Sequence, residues 1–408
     1  MRQMNILLID FFHLVNRKIH SFLPTALAIV VVGLALRFVY LTFYAYTPSS
    51  IWNMDFLSIW SFAKFVLVHH VSEIYDNSKL LDYQMDLGAV PTERPYPYPP
   101  SFLLMILPLS FLSFPVAFAT WNILTFSIYF LASLYRRWRT SAILLIIFSP
   151  ATLQNFFTGQ TGFLSAGLIL GGFRFVATRP VLSGTLFGLA SFKPTLGILI
   201  PIALVSARAW RSLVVAVVTV AILVIGSSLV FGWSIWPIWL AKLPTHAEWV
   251  KAVADKFKPT ITANLAFLGV PSTLIQIAQI CVAVLVAFII WACFRRGVTI
   301  LATAALLVGT ILATPYAFVY DLPILTNAVL MFIRHKDQTN RSLTIPEAAI
   351  LLLSLVIPHI TMETWRPAMF RSVPLLLLLG IIVRDLFQFR RDLKEPGSVA
   401  VQMEVRAR

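Results

Sequence analysis

Apolar stretches long enough to cross roughly 30 Å of hydrocarbon recur along this chain from Pro24 to the neighbourhood of Phe389, separated by short polar or basic links. Few folds can carry such a pattern, because in a bilayer every backbone amide must be satisfied within a helix or a closed barrel. Hydrophobic residues make up 59% of the 408 residues and charged residues 12%, a balance that excludes a water-soluble globular protein of this length. The predicted fold is all-α: a polytopic integral membrane protein, one domain over residues 1–408, with about twelve transmembrane helices.

The formal net charge of +15 would suggest nucleic acid as the partner of a soluble protein. Here the basic residues cluster at Arg17/Lys18, Arg208/Arg211, Arg295/Arg296, Arg334/Lys336/Arg341 and Arg390/Arg391/Lys394, at the ends of apolar segments, as cytoplasmic retention of positive charge predicts. Membrane lipids are therefore the expected partner, and no nucleic acid. Cys281 and Cys293 lie in one apolar run, about 18 Å apart by helical rise, which makes them packing residues that do not bridge each other.

Pro24 to Tyr46 is too long for a signal-peptide core and is expected to remain as the first span. Arg17 and Lys18 before it place the N-terminus inside, residues 47–99 as a first extracytoplasmic loop with structure of its own, and residues 390–408 as a cytoplasmic tail. In the outer loop acids outnumber bases. The apolar period from Phe56 to Val71 predicts a short amphipathic helix at the interface. A second outer loop, residues 232–262, carries Trp233, Trp236, Trp239 and Trp249 as an aromatic belt. The apolar segments number one too many for both ends to share a side. Either Pro100 to Tyr135 crosses only once, or Val181 to Val205 is a single broken helix.

Ionisable residues at membrane depth are costly and thereby point to function. Asp55, in Asn53-Met54-Asp55-Phe56, could take the proton from an acceptor hydroxyl if burial raises its pKa; the plain alternative is an N-cap for the helix that begins near Phe56. Lys193-Pro194 interrupts an apolar stretch where a cation could steady a departing lipid phosphate, or could simply snorkel to headgroups. Gly159-Gln160 makes a similar break, and Gln160 could equally serve a neighbouring helix. Asp321, after Thr314-Pro315-Tyr316 and Tyr320, could bind sugar hydroxyls or order its loop. Arg37 in the first span could reach outward or pair with Asp55, and Arg366 and Arg371 in the last outer loop are further phosphate candidates. The sequence has no Gly-rich phosphate loop, zinc motif or Asp-x-Asp pair, so neither a metal nor a cofactor is expected. His69-His70 point about a hundred degrees apart on a helix, poor geometry for one ion.

Asp55, Glu73-Ile74-Tyr75-Asp76, Tyr98-Pro99-Pro100, Pro108, Trp121, Gly159-Gln160, Lys193-Pro194 and Pro315-Tyr316 occur in an order that resembles glycosyltransferase family 87, of the GT-C class of membrane glycosyltransferases. The resemblance implies a GT-C-like fold in a bacterial cytoplasmic membrane, with an outward-facing site. It implies inverting transfer of a hexose from a polyprenyl-phosphate sugar, often the mannose donor, to a lipid or glycan acceptor, with Asp55 as catalytic base. Tyr98, Gln160 and Tyr316 then join Arg37, Lys193, Asp321 and Arg366 as donor- or acceptor-binding residues. Better-known members have His near the late outer loop where this chain has Tyr316 and Tyr320-Asp321, which leaves the acceptor open. A transporter or flippase is the alternative reading; it would need paired intramembrane charges or related halves, and no internal repeat is obvious.

Overall fold

The computed structural model describes Gly33 and residues 55–134, 140–253, 257–359 and 370–392. The first span, Arg37, Arg366 and the tail beyond Asp392 lie outside the described residues. The described residues are helical, without a strand. In chain order the helices are α1 (Phe56–Val68), α2 (Asn77–Asp86), α3 (Pro100–Ile106), α4 (Phe114–Ser133), α5 (Thr140–Phe148), α6 (Pro150–Thr158), α7 (Gly162–Phe175), α8 (Pro180–Leu189) and α9 (Pro194–Gly197). They continue as α10 (Ile200–Ser206), α11 (Trp210–Phe231), α12 (Ile235–Val253), α13 (Ile261–Phe267), α14 (Ser272–Phe294), α15 (Ile300–Ala313), α16 (Pro323–Gln338), α17 (Ile345–Val356) and α18 (Val373–Asp392).

Among the described residues, 4 helical stretches are long and apolar enough to cross a membrane: Phe114–Ser133, Thr140–Thr158, Trp210–Phe231 and Ser272–Phe294. Local chemistry sets the breaks between elements. Ser149 caps α6 by accepting from Thr152 N, with Pro150 next, so α5 and α6 meet at a bend. Thr344 and Glu347 form a capping box that starts α17. α15 is buried from Leu301 to Ala313 and α7 from Gly162 to Phe173; these two helices, 14 residues each, form the centre of the bundle. α11 and α14 turn Val217, Ile222, Leu229, Ile277, Val284 and Phe288 outward, an apolar surface suited to lipid.

Glycines fix the helix directions. Gly167 lies against Ile128 and Tyr129 and Gly171 against Ala132, so α4 and α7 run parallel. Gly184 meets Ser212 and Val215, and Gly188 meets Thr219, so α8 and α11 run parallel as well. Two parallel neighbours need a return between them. Pro180–Phe192 therefore runs one way and Pro194–Ser206 back, with Lys193 at the turn. The stretch from Pro100 onward is different: Leu104 lies 3.6 Å from where a Cβ on Gly226 would sit, near the end of α11, and Trp60 Nε1 donates to Leu112 O at 3.0 Å. α3 is thus stacked at the Asp55 end, and only α4 runs the depth of the bundle between Pro100 and Ser133.

The helix expected at the interface forms over Phe56–Val68 but is not amphipathic. Phe56, Leu57, Ile59, Trp60, Phe62 and Phe65 are all buried. Aromatic residues of the following segments cover it from outside: Tyr96 meets Phe62 at 5.0 Å and Tyr83 meets Phe65 at 5.4 Å, an arrangement that the period of α1 alone could not reveal. At the opposite end, Lys336 Nζ lies 2.8 Å from Glu347 Oε1 and 2.7 Å from Asp385 Oδ2, and Arg384 joins the same two carboxylates, tying α16, α17 and α18 together.

Candidate active site

Asp55 opens α1 with helical backbone angles, and its side chain makes no capping bond. The plain structural role that its position allows is not the one it fills. Phe56 anchors the helix start against Phe114, Phe118 and Trp121, at ring separations of 5.7, 5.4 and 6.4 Å. Into the same place comes Gly159, which ends α6 with φ +65°; a Cβ there would lie 2.6 Å from Phe56 Cβ. Only glycine satisfies both the left-handed backbone and the close approach. The next residue, Gln160, consequently falls beside the Asp55 carboxyl. Thr161 N donates to Gln160 Oε1 at 3.4 Å, which leaves the amide NH2 for the carboxylate.

Burial pushes the Asp55 carboxyl above the ordinary aspartate value, and the Gln160 side chain and the charge of Arg94 oppose that rise. Arg94, half-buried, donates through Nη1 to Val90 O at 3.4 Å and Thr92 O at 3.2 Å, and its guanidinium lies within electrostatic reach of Asp55. A partly desolvated carboxylate with one amide and one cation beside it suits a general base.

The other half of the cluster comes from the segment before α16. Asn155 Nδ2 donates to Tyr320 O at 2.8 Å, and a Cβ on Gly162 would lie 1.8 Å from that same oxygen. The four residues Gly159 to Gly162 thus touch Phe56 at one end and Tyr320 at the other. Asp321 is fully buried; its Oδ1 accepts from Lys193 Nζ at 2.6 Å and its Oδ2 from Phe318 N at 3.0 Å. Lys193 also stands 4.6 Å from the Tyr320 ring centroid. Its ammonium is turned inward, so it does not snorkel. These bonds tie the loop before α16 to the turn at Lys193. Tyr98 is buried beside Thr161; burial raises its hydroxyl pKa, and the carboxylates of Asp321 and Asp55 push it further. Burial does the same for Tyr320, so both phenols remain neutral hydrogen-bonding groups.

The fold therefore brings together Asp55, Tyr98, Gln160, Lys193 and Asp321, and adds Arg94, Thr161 and Tyr320. Arg94 carried no signal beyond being a lone base in a Pro-rich return. Tyr316 stands in a different place: with Lys258, 5.9 Å from its ring, and with Gln276 and Gln279 it lines a groove of about 560 Å³ beside α14. Arg371 is buried near His359, whose Nδ1 is 3.1 Å from Gln154 Oε1. His69 stacks on Phe65 at 4.3 Å, and among the described residues no three His, Cys, Asp or Glu side chains are grouped as metal ligands.

The model of glycosyltransferase family 87 matches residues 96–315, more than half of the chain, including the Gly159 to Gly162 segment and Lys193. No curated protein and no solved structure matches the chain.

Proposed function

Since the chain belongs to glycosyltransferase family 87, and so is a glycosyltransferase, we propose that it moves a hexose from a polyprenyl-phosphate sugar to an acceptor hydroxyl at the extracytoplasmic face, with inversion. The observation that carries this reading is the environment of Asp55: a carboxylate that caps nothing, is partly desolvated, and has Gln160 and Arg94 beside it. In the reaction the acceptor oxygen attacks the anomeric carbon as its proton passes to Asp55. The bond from that carbon to the phosphate oxygen breaks, and its electron pair leaves with polyprenyl phosphate. Arg94, beside Asp55, favours the ionised form of that base. The Lys193–Asp321 pair orients Tyr320, and the neutral Tyr98 and Tyr320 hydroxyls are suited to sugar hydroxyls.

The groove beside Tyr316 and Lys258, bordered by the apolar face of α14, fits the lipid chain and phosphate of such a donor. On this reading the passes number about twelve, both termini lie inside and the Asp55 end faces outward, which the placing of Lys and Arg along the sequence supports. The test is incubation of the purified protein with radiolabelled polyprenyl-phosphate sugars and a membrane lipid extract. A labelled product formed by the wild type and lost in Asp55→Asn is expected; near-normal turnover by that variant refutes the assignment. Sugar that crosses a vesicle wall without a new bond marks a transporter.

A further inference from the structure

Four of the seven residues from Arg94 to Pro100 are proline, so this stretch has few N–H groups with which to pair, and it reaches the start of α3 without helix or strand. Its carbonyls must find donors elsewhere. Three consecutive ones find them on aromatic side chains: Trp239 Nε1 donates to Pro97 O at 3.4 Å, Tyr75 Oη to Tyr98 O at 3.1 Å and Tyr96 Oη to Pro99 O at 3.0 Å. At the near end, Gln84 Nε2 donates to Ser61 Oγ of α1 at 3.0 Å and points to Arg94 O at 3.5 Å.

The donors are themselves held. Tyr75 and Tyr96 are buried with their rings 5.4 Å apart. Trp239 stands edge-on to Trp236 at 5.5 Å, and Trp236 Nε1 donates to Ser227 Oγ of α11 at 3.2 Å. The proline-rich stretch is thus braced by α12 and by the turn Val71–Tyr75, two parts of the chain more than 150 residues apart.

The groups that face Asp55 are Gln160, Arg94, Tyr98 and Tyr320. Two of these four, Arg94 and Tyr98, belong to the braced stretch, so its placing decides which cation and which phenol the carboxyl meets. We propose that Tyr75 and Trp239 are positioning residues: by gripping the carbonyls of Tyr98 and Pro97 they hold the Arg94 guanidinium and the Tyr98 hydroxyl in place against Asp55. The consequence for turnover rests on the transferase reading above; the placing of Arg94 does not.

The test is infrared titration of the detergent-purified protein, following the band of the protonated Asp55 carboxyl, identified by its loss in Asp55→Asn. Tyr75→Phe removes one oxygen and keeps the ring, and Trp239→Phe keeps an aromatic face. Loosening Arg94 withdraws a charge that favours ionised Asp55, so both variants should move the midpoint to higher pH by about half a pH unit, part of the roughly 1–3 that an adjacent opposite charge commands. Ser206→Ala, which deletes the 2.6 Å bond from Ser206 Oγ to Trp291 O between α10 and α14, should leave it in place. Tyr75→Phe added to Arg94→Gln should move it no further than Arg94→Gln alone. A midpoint unchanged in both brace variants, moved equally by Ser206→Ala, or moved again in the Arg94→Gln background overturns the proposal. The acid limb of kcat/KM should follow the same midpoints. Turnover that survives in Asp55→Asn refutes the catalytic assignment instead and leaves the titration standing, so the two failures are distinguishable.

Discussion

Lys193 and Asp321 lie 128 positions apart in sequence, yet their side chains meet at 2.6 Å in the interior, joining the turn after α8 to the segment before α16. Both are nearly inaccessible to solvent, so removing one partner strands the other's charge. Lys193→Met is expected to destabilise the detergent-solubilised protein by about 3–5 kcal/mol, and a Lys193→Met/Asp321→Leu double variant to recover much of that loss. Thermal unfolding of the two single variants and the double variant, read as a cycle, checks this; additive effects would show that the pair is not coupled.

The pH dependence of transfer should report Asp55. Its pKa is raised, and a base must be ionised, so activity falls as pH drops through a value above that of an ordinary aspartate. Gln160 and Arg94 favour the charged form; removing either raises the pKa again. Gln160→Leu and Arg94→Gln should therefore move the acid limb of kcat/KM to higher pH, with Asp55→Asn lowering kcat on the order of 10²–10⁴-fold. A limb that stays in place in both variants would remove Asp55 as its origin.

Gly159 and Gly269 both have positive φ, but only Gly159 is crowded: a Cβ at Gly269 meets nothing within 4 Å. Gly269→Ala should cost about 1–2 kcal/mol of backbone strain and leave turnover unchanged. Gly159→Ala must also push Phe56 away and carry Asp55 with it. Transfer assays on protein that still migrates as a single species should show it inactive.

The Lys336–Glu347–Asp385–Arg384 network lies at the end of the bundle away from Asp55. Lys336→Met should lower thermal stability by about 3–5 kcal/mol while kcat, KM and the acid limb of the survivors match the wild type. An altered pH profile would mean that the two ends communicate.

The helix borders were readable from the sequence because apolar runs and their Pro, Gly and Ser/Thr punctuation dictate them; the break at Lys193-Pro194 and that at Gly159-Gln160 are where the chain turns. What could not be read was which segment lies against which. Parallel pairing of α4 with α7 depends on small residues at Gly167 and Gly171, which look like any other glycines in an apolar run. α1 was misread as amphipathic because its cover is supplied by distant residues such as Leu112, whose carbonyl accepts from Trp60, 52 positions earlier. Of the cluster, Asp55, Gln160, Lys193 and Asp321 stand out as polar residues in apolar surroundings. Arg94 and Thr161 do not, since loops full of polar residues conceal the one that turns inward.

The two central helices, α7 and α15, have 14 residues each, about 21 Å of length, against roughly 30 Å for the oily layer of a bilayer. α11 and α14, with 22 and 23 residues, are about 33–35 Å long, so the buried centre is shorter than the lipid-suited helices beside it. For the lipid-linked donor proposed above, a shorter centre at the Asp55 end would let the sugar reach the cluster by sinking a little rather than being lifted into water.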